Sequence, residues 1–145
     1  MRRLTWGLTA LAVMLAGMAG TALANPGVES VDFPTEGGIQ GRADVYVSKN
    51  ESGTLVLLFH QAGWSRGEYR EIAPKLVEAG YRVMAVDQRS GGAVNGVQNE
   101  THRRATKMGL ARSYLDAYAD LEAALGYARK KLGATRIIAW GSSYS

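Results

Sequence analysis

The chain has 145 residues, 46% of them hydrophobic, with 17 lysines and arginines against 13 aspartates and glutamates, a formal net charge of +4 and no cysteine. This length holds one hydrophobic core, and the lack of cysteine excludes disulfides, thiolate metal sites and a cysteine nucleophile. The basic residues are scattered, with no lysine or arginine stripe interleaved with aromatics, which argues against nucleic-acid binding.

Met1 to Arg3 forms a positive N-terminal region, followed by the uncharged, mostly apolar stretch Leu4 to Ala24 and the small-x-small pair Ala22 and Ala24. This reads as a secretory signal cleaved after Ala24. A membrane anchor of the same length is the rival, weakened by the glycine, threonine and alanine content. Export to the periplasm or the outside follows, with no stable membrane association after cleavage. The division is then a leader, 1–24, and a domain, 25–145.

Within the domain, Asn25 to Ser30 reads as a flexible lead-in, and Val31 to Ser48 as two strands about a Gly37-Gly38 turn. Asn50 to Gly53 is a loop. Thr54 to His60 is a continuous apolar run, expected as a strand covered on both faces. Pro74 divides Ser65 to Gly80. It predicts a short turn near Gly67–Arg70, then a helix with Pro74 in its first turn and Gly80 past its end. Tyr81 to Asp87 is the next buried strand. Gln88 to Arg112 reads as a long polar loop. Ser113 and Asp116 form a capping-box pattern. From there Leu115, Tyr118, Leu121, Leu125, Ala128 and Leu132 recur at helical spacing as one apolar face, which Gly133 ends. Thr135 to Trp140 is expected as a third buried strand.

Strands alternating with helices imply an α/β fold, a mostly parallel sheet with helices on its faces. Ligands in such sheets bind at the carboxyl ends of the strands. Those ends are His60-Gln61-Ala62, Asp87-Gln88-Arg89 and Gly141-Ser142-Ser143.

Gly141-Ser142-Ser143-Tyr144-Ser145 follows a strand and has the residue types of a sharp turn that presents a nucleophile. The central serine adopts strained backbone angles, and the residues two before and two after it approach closely, so both must be small. With Ser143 central they are Gly141 and Ser145. With Ser142 central the first would be Trp140, which is too bulky. Ser143 is therefore the candidate nucleophile. Acyl transfer also needs N–H groups aimed at the developing oxyanion. The Tyr144 N–H is one candidate. The loop after Thr54–His60 offers the other, Ala62 first and Gln61 second. His60 is read as holding that loop rather than as the base, and His102 as a surface loop histidine. Arg103, Arg104 and Lys107 read as a solvated face.

The segments from Leu57 to Gly92 and Trp140 to Ser145 together resemble the α/β-hydrolase superfamily, and within it the dienelactone-hydrolase-type serine esterases. The family's His-Gly stands here as His60-Gln61, its Asp-x-Arg-x-Gly as Asp87 to Gly91, and its nucleophile elbow as Gly141 to Ser145. Glutamine for glycine and the serine at the elbow's end are the departures. The resemblance implies a small-molecule ester or lactone as substrate, structural roles for Asp87 and Arg89, and no cofactor or metal. A peptidase like the prolyl oligopeptidases shares the Ser-Tyr elbow.

In such hydrolases the acid and base follow the serine in the chain, and nothing in the sequence follows Ser145. The expectation is an N-terminal portion of a hydrolase domain, inactive by itself, whose last strand leaves an apolar edge open to self-association. The alternative is a non-catalytic half-domain that acts in binding or self-assembly. Asn50-Glu51-Ser52 and Asn99-Glu100-Thr101 match glycosylation acceptors, and neither is expected to be used.

Overall fold

A computed structural model describes residues 27–47 and 53–145. The leader and the acceptor pattern at Asn50 lie outside these residues. Five strands form one sheet: β1 (Gly27–Pro34), β2 (Gln40–Val47), β3 (Thr54–Phe59), β4 (Arg82–Val86) and, last in the chain, β7 (Arg136–Gly141). Their order across the sheet is β1-β2-β4-β3-β7. β3 pairs in parallel with both β4 and β7, while β1 with β2 and β2 with β4 are antiparallel. The three parallel strands are the ones whose ends carry the motifs.

The period of two in β3 sorts its side chains into two cores. Leu55, Leu57 and Phe59 join Phe33, Ala43, Val45, Met84 and Val86 beneath Ala124 and Ala128. Those alanines come from the helix α3 (Tyr118–Lys130). Val56 and Leu58 face the other way, with Tyr46, Val83 and Ala85, onto Ala73 and Val77 of α1 (Ile72–Glu78). β3 is thus covered on both sides, as its unbroken apolar run requires. Pro74 sits in the first turn of α1, where its missing N–H removes no intrahelical bond. A 3-10 turn at Arg66–Tyr69 precedes it.

Four expectations are corrected. Gly27 to Ser30 is not a lead-in, because its backbone pairs with Asp44 to Val47 in β2. Gln88 to Arg112 is not a loop throughout. A small hairpin, β5 (Ala93–Val94) with β6 (Val97–Gln98), turns at Asn95-Gly96, both with positive φ. The helix α2 (Glu100–Lys107) follows, capped by the Asn99 side chain, which accepts from the His102 N–H.

The apolar face of α3 begins later than its pattern. Ser113 and Asp116 bond reciprocally, as a capping box does, but the residues after them form turns and the helix starts at Tyr118. Leu115 is 88% exposed, and Tyr118 is exposed too. Finally, β7 is covered less than its apolar run predicts and forms the open edge expected of the last strand. Only Ile137 packs into a core, and no β7 residue belongs to the cluster under α1.

Candidate active site

Register places the motif-bearing loops side by side. Phe59 is opposite Val86 on one side and Gly141 on the other, so His60, Asp87 and Ser142 leave three adjacent parallel strands at one level. The Ser142 N–H continues the ladder by donating to the Phe59 carbonyl at 3.0 Å. The same carbonyl accepts from the Tyr69 hydroxyl at 2.8 Å.

Beyond Ser142 the backbone turns sharply. Ser143 has φ 60°, and the other non-glycine residue with positive φ among those described is Asn95, in its hairpin turn. Such a conformation is disfavoured for a residue with a side chain and needs support from its surroundings. Gly141 provides some of it: a Cβ there would lie 1.9 Å from the Ser145 carbonyl oxygen, so only glycine admits the approach. Ser145 adds the rest. Its hydroxyl donates to the His60 carbonyl at 2.6 Å and contacts the Gln88 side-chain amide, and its N–H closes on Ser142 O. Ser143 itself is exposed. The Tyr144 ring lies against Tyr114, and its hydroxyl bonds to Ser90 in the loop after β4.

The loop after β3 folds into a turn closed by Trp64 N–H to Gln61 O, with Gly63 at φ 75° in its third position, where glycine is required. The Gln61 N–H is held by a Glu68 carboxylate oxygen at 2.8 Å. Among the described residues, nothing accepts from the N–H of Ala62 or of Tyr144.

His60 is fully buried, and both ring nitrogens are engaged. Nε2 accepts from the Gln88 N–H at 2.9 Å, so Nδ1 carries the proton and donates to Gln61 O at 2.8 Å. Burial holds this imidazole below its ordinary value, against the opposing pull of the Gln61 carbonyl. His102 departs from the surface-loop reading. It lies on α2, half-buried, with Nδ1 at 2.7 Å from the Arg89 carbonyl.

Asp87 and Arg89 anchor the loop after β4. Asp87 accepts from the Arg66 N–H and guanidinium and from the Glu100 N–H. Burial nonetheless pushes its carboxyl up to about 6. Arg89 meets Asp120 of α3 through its backbone N–H, Nε and Nη2. No group of residues suited to hold a metal ion occurs among those described. No helix among them is long and apolar enough to cross a membrane.

Asn99 was legible in the sequence only as part of an acceptor pattern. It is 2% exposed, and its amide reaches Trp64 O, Gln88 O and His60 Nε2. Its position one residue before a helix start was the available signal, hidden by the reading of the whole segment as loop.

Comparison with known proteins bears on this arrangement. No curated protein matches the chain. Solved structures do: the Pyrococcus furiosus esterase Pf2001 at 20% identity and TM-score 0.58, over 83% of this chain and 43% of that one. A dienelactone hydrolase from Anabaena variabilis matches at 17% identity and TM-score 0.61, over 82% and 53%. The esterase Est22 matches at 19% and 0.63, over 83% and 36%. The chain therefore spans about half or less of the length of the structures it matches. At these identities they establish the fold. The family model for serine aminopeptidase, S33, matches residues 50–144, and on that match the chain belongs to this family of α/β-hydrolases.

Proposed function

We propose that the chain carries the nucleophile of a serine hydrolase that acts on a carboxylic ester or lactone. Ser143 Oγ attacks the carbonyl carbon while a base takes its proton. The carbonyl oxygen becomes an oxyanion, held by the N–H groups of Tyr144 and Ala62. Collapse expels the alcohol, which takes a proton from the conjugate acid, and water then releases the carboxylic acid by the same steps. The observation that carries this reading is the left-handed backbone of an exposed Ser143 directly after a parallel strand.

His60 is buried with both ring nitrogens bonded, which argues that it does not supply the base. We place base and acid in protein beyond these 145 residues, and hold residues 25–145 alone to be inactive. Mature protein exported after cleavage at Ala24 is part of the same proposal.

The test is a fluorophosphonate probe on the product of the whole gene, with the labelled residue mapped. Labelling at Ser143, lost in Ser143→Ala without a change in thermal midpoint, is expected. Labelling elsewhere overturns the reading. The family description favours a second substrate class, an N-terminal peptide bond. Parallel assays with p-nitrophenyl acetate and an aminoacyl p-nitroanilide separate the two.

A further inference from the structure

Asn99 lies outside the motifs of the resemblance, yet it touches several parts of the site's scaffold. Its side-chain amide nitrogen is 3.1 Å from the Trp64 carbonyl, 2.9 Å from the Gln88 carbonyl and 3.2 Å from His60 Nε2. Its side-chain oxygen accepts from the His102 N–H, and its own N–H donates to Gly92 O. Gly92 N–H in turn donates to Trp64 O. The site accepts little variation. A Cβ on Gly91 would lie 2.0 Å from Trp64 O, 2.2 Å from the Asn99 amide nitrogen and 2.6 Å from His60 Cε1. One buried amide therefore pins the last residue of the turn that contains Ala62, Gln88 in the loop after β4, and the imidazole that spans both.

We infer that Asn99 is the positioning residue for the Gln61–Trp64 turn, setting where the Ala62 N–H points. This rests on the acyl-transfer reading for its catalytic consequence and on geometry alone for its structural one. The amide is suited to the task because its two ends do different work. The oxygen caps α2, and the nitrogen supplies the donors. Only the donor end reaches the turn.

That division gives a clean variant. Asn99→Asp keeps an oxygen for the helix cap, at which Asp and Asn are about equal, and removes the donors. Asn99→Ser also keeps a capping oxygen but adds no charge and lacks the reach. Both are made in the whole gene product. Two readouts are taken: fluorophosphonate labelling of Ser143 with ester kinetics, and amide hydrogen exchange at Gln61 and Trp64, whose N–H groups are bonded at the two ends of the turn, which needs no turnover.

Displacement of an oxyanion donor by about 1 Å lowers turnover on the order of 10²-fold. The expected result is a fall of that order in kcat and labelling rate for both variants, with KM within a factor of about three. Exchange in the turn speeds by about tenfold while β3 and α2 keep their protection. Turn exchange and labelling at wild-type rates in both variants overturn the inference, as does protection lost uniformly across the molecule. An unlabelled wild type with a selectively loosened turn overturns the acyl-transfer reading and leaves the positioning role standing.

Discussion

At Gly141 the space for a methyl group is already filled by the Ser145 carbonyl. Gly141→Ala must push the chain after Ser143 outward, breaking the Ser145 bond to the His60 carbonyl. Overpacking of this kind costs ~1–3 kcal/mol, and the unfolding free energies of variant and wild type from denaturant titration should differ by that amount. The requirement was visible in the sequence because it is local, set by residues two apart from the serine. Asp120 is the opposite case. It sat in the α3 pattern as an unremarkable polar residue, yet it is fully buried against Arg89 and also accepts from the Thr35 hydroxyl. Its partners lie 31 and 85 residues away in the chain, beyond any local pattern. Asp120→Ala leaves the Arg89 cation unpaired, and a loss of ~3–5 kcal/mol in unfolding free energy is expected.

Among the elements, α3 and β7 show how periodicity overreaches. Leu115 and Leu121 belong to one helical stripe in the sequence, but only Leu121 packs against the core. The stripe marks what a helix could bury, not where the helix begins. Tyr114, just before Leu115, lies against Tyr144, within a segment that forms turns. Leu115→Gln should therefore change stability by less than ~0.5 kcal/mol, whereas Leu57→Ala in β3 should cost ~2–5 kcal/mol. Chemical denaturation of the two variants side by side decides it. β7 reads as a covered strand because its composition matches that of β3. Composition reports what a strand can bury and is silent about its neighbours, and here Ile138 and Trp140 remain 44% and 45% exposed. α2 was missed for the reverse reason: its sequence is polar, and it is anchored by polar contacts, the Asn99 cap and the Arg104 bonds to Asp32 and Gln40.

At the scale of the molecule, the alternation of strands and helices, the covering of β3 on both faces and the line of the three loops were legible because apolar runs and turn residues alternate so regularly. The electrostatic framework was not, since burial and long-range pairing create it. It should show in the pH dependence of stability. His60 has a folded value below its ordinary 6.5, so the unfolded chain takes up that proton first. Its contribution is intact above about pH 6.5 and declines as pH falls. Asp87, raised to about 6 from 3.8, works the other way: the folded state protonates first, so its contribution improves as pH falls from about 6 toward 3.8. The two slopes oppose below pH 6. His60→Gln removes one of them, and the stability advantage of wild type over this variant should shrink between pH 7.5 and 5 in urea titrations.

The burial of Asn99 also bears on how the protein can be made. Its Asn-Glu-Thr triplet would be met by an oligosaccharyltransferase in a eukaryotic secretory host while the chain is still unfolded. A sugar attached there would sit on an amide that is 2% exposed in the finished fold. Chain routed into the secretory pathway of yeast or mammalian cells should then be retained as misfolded glycoprotein sensitive to glycosidase, a block that chain without the sugar at Asn99 does not meet.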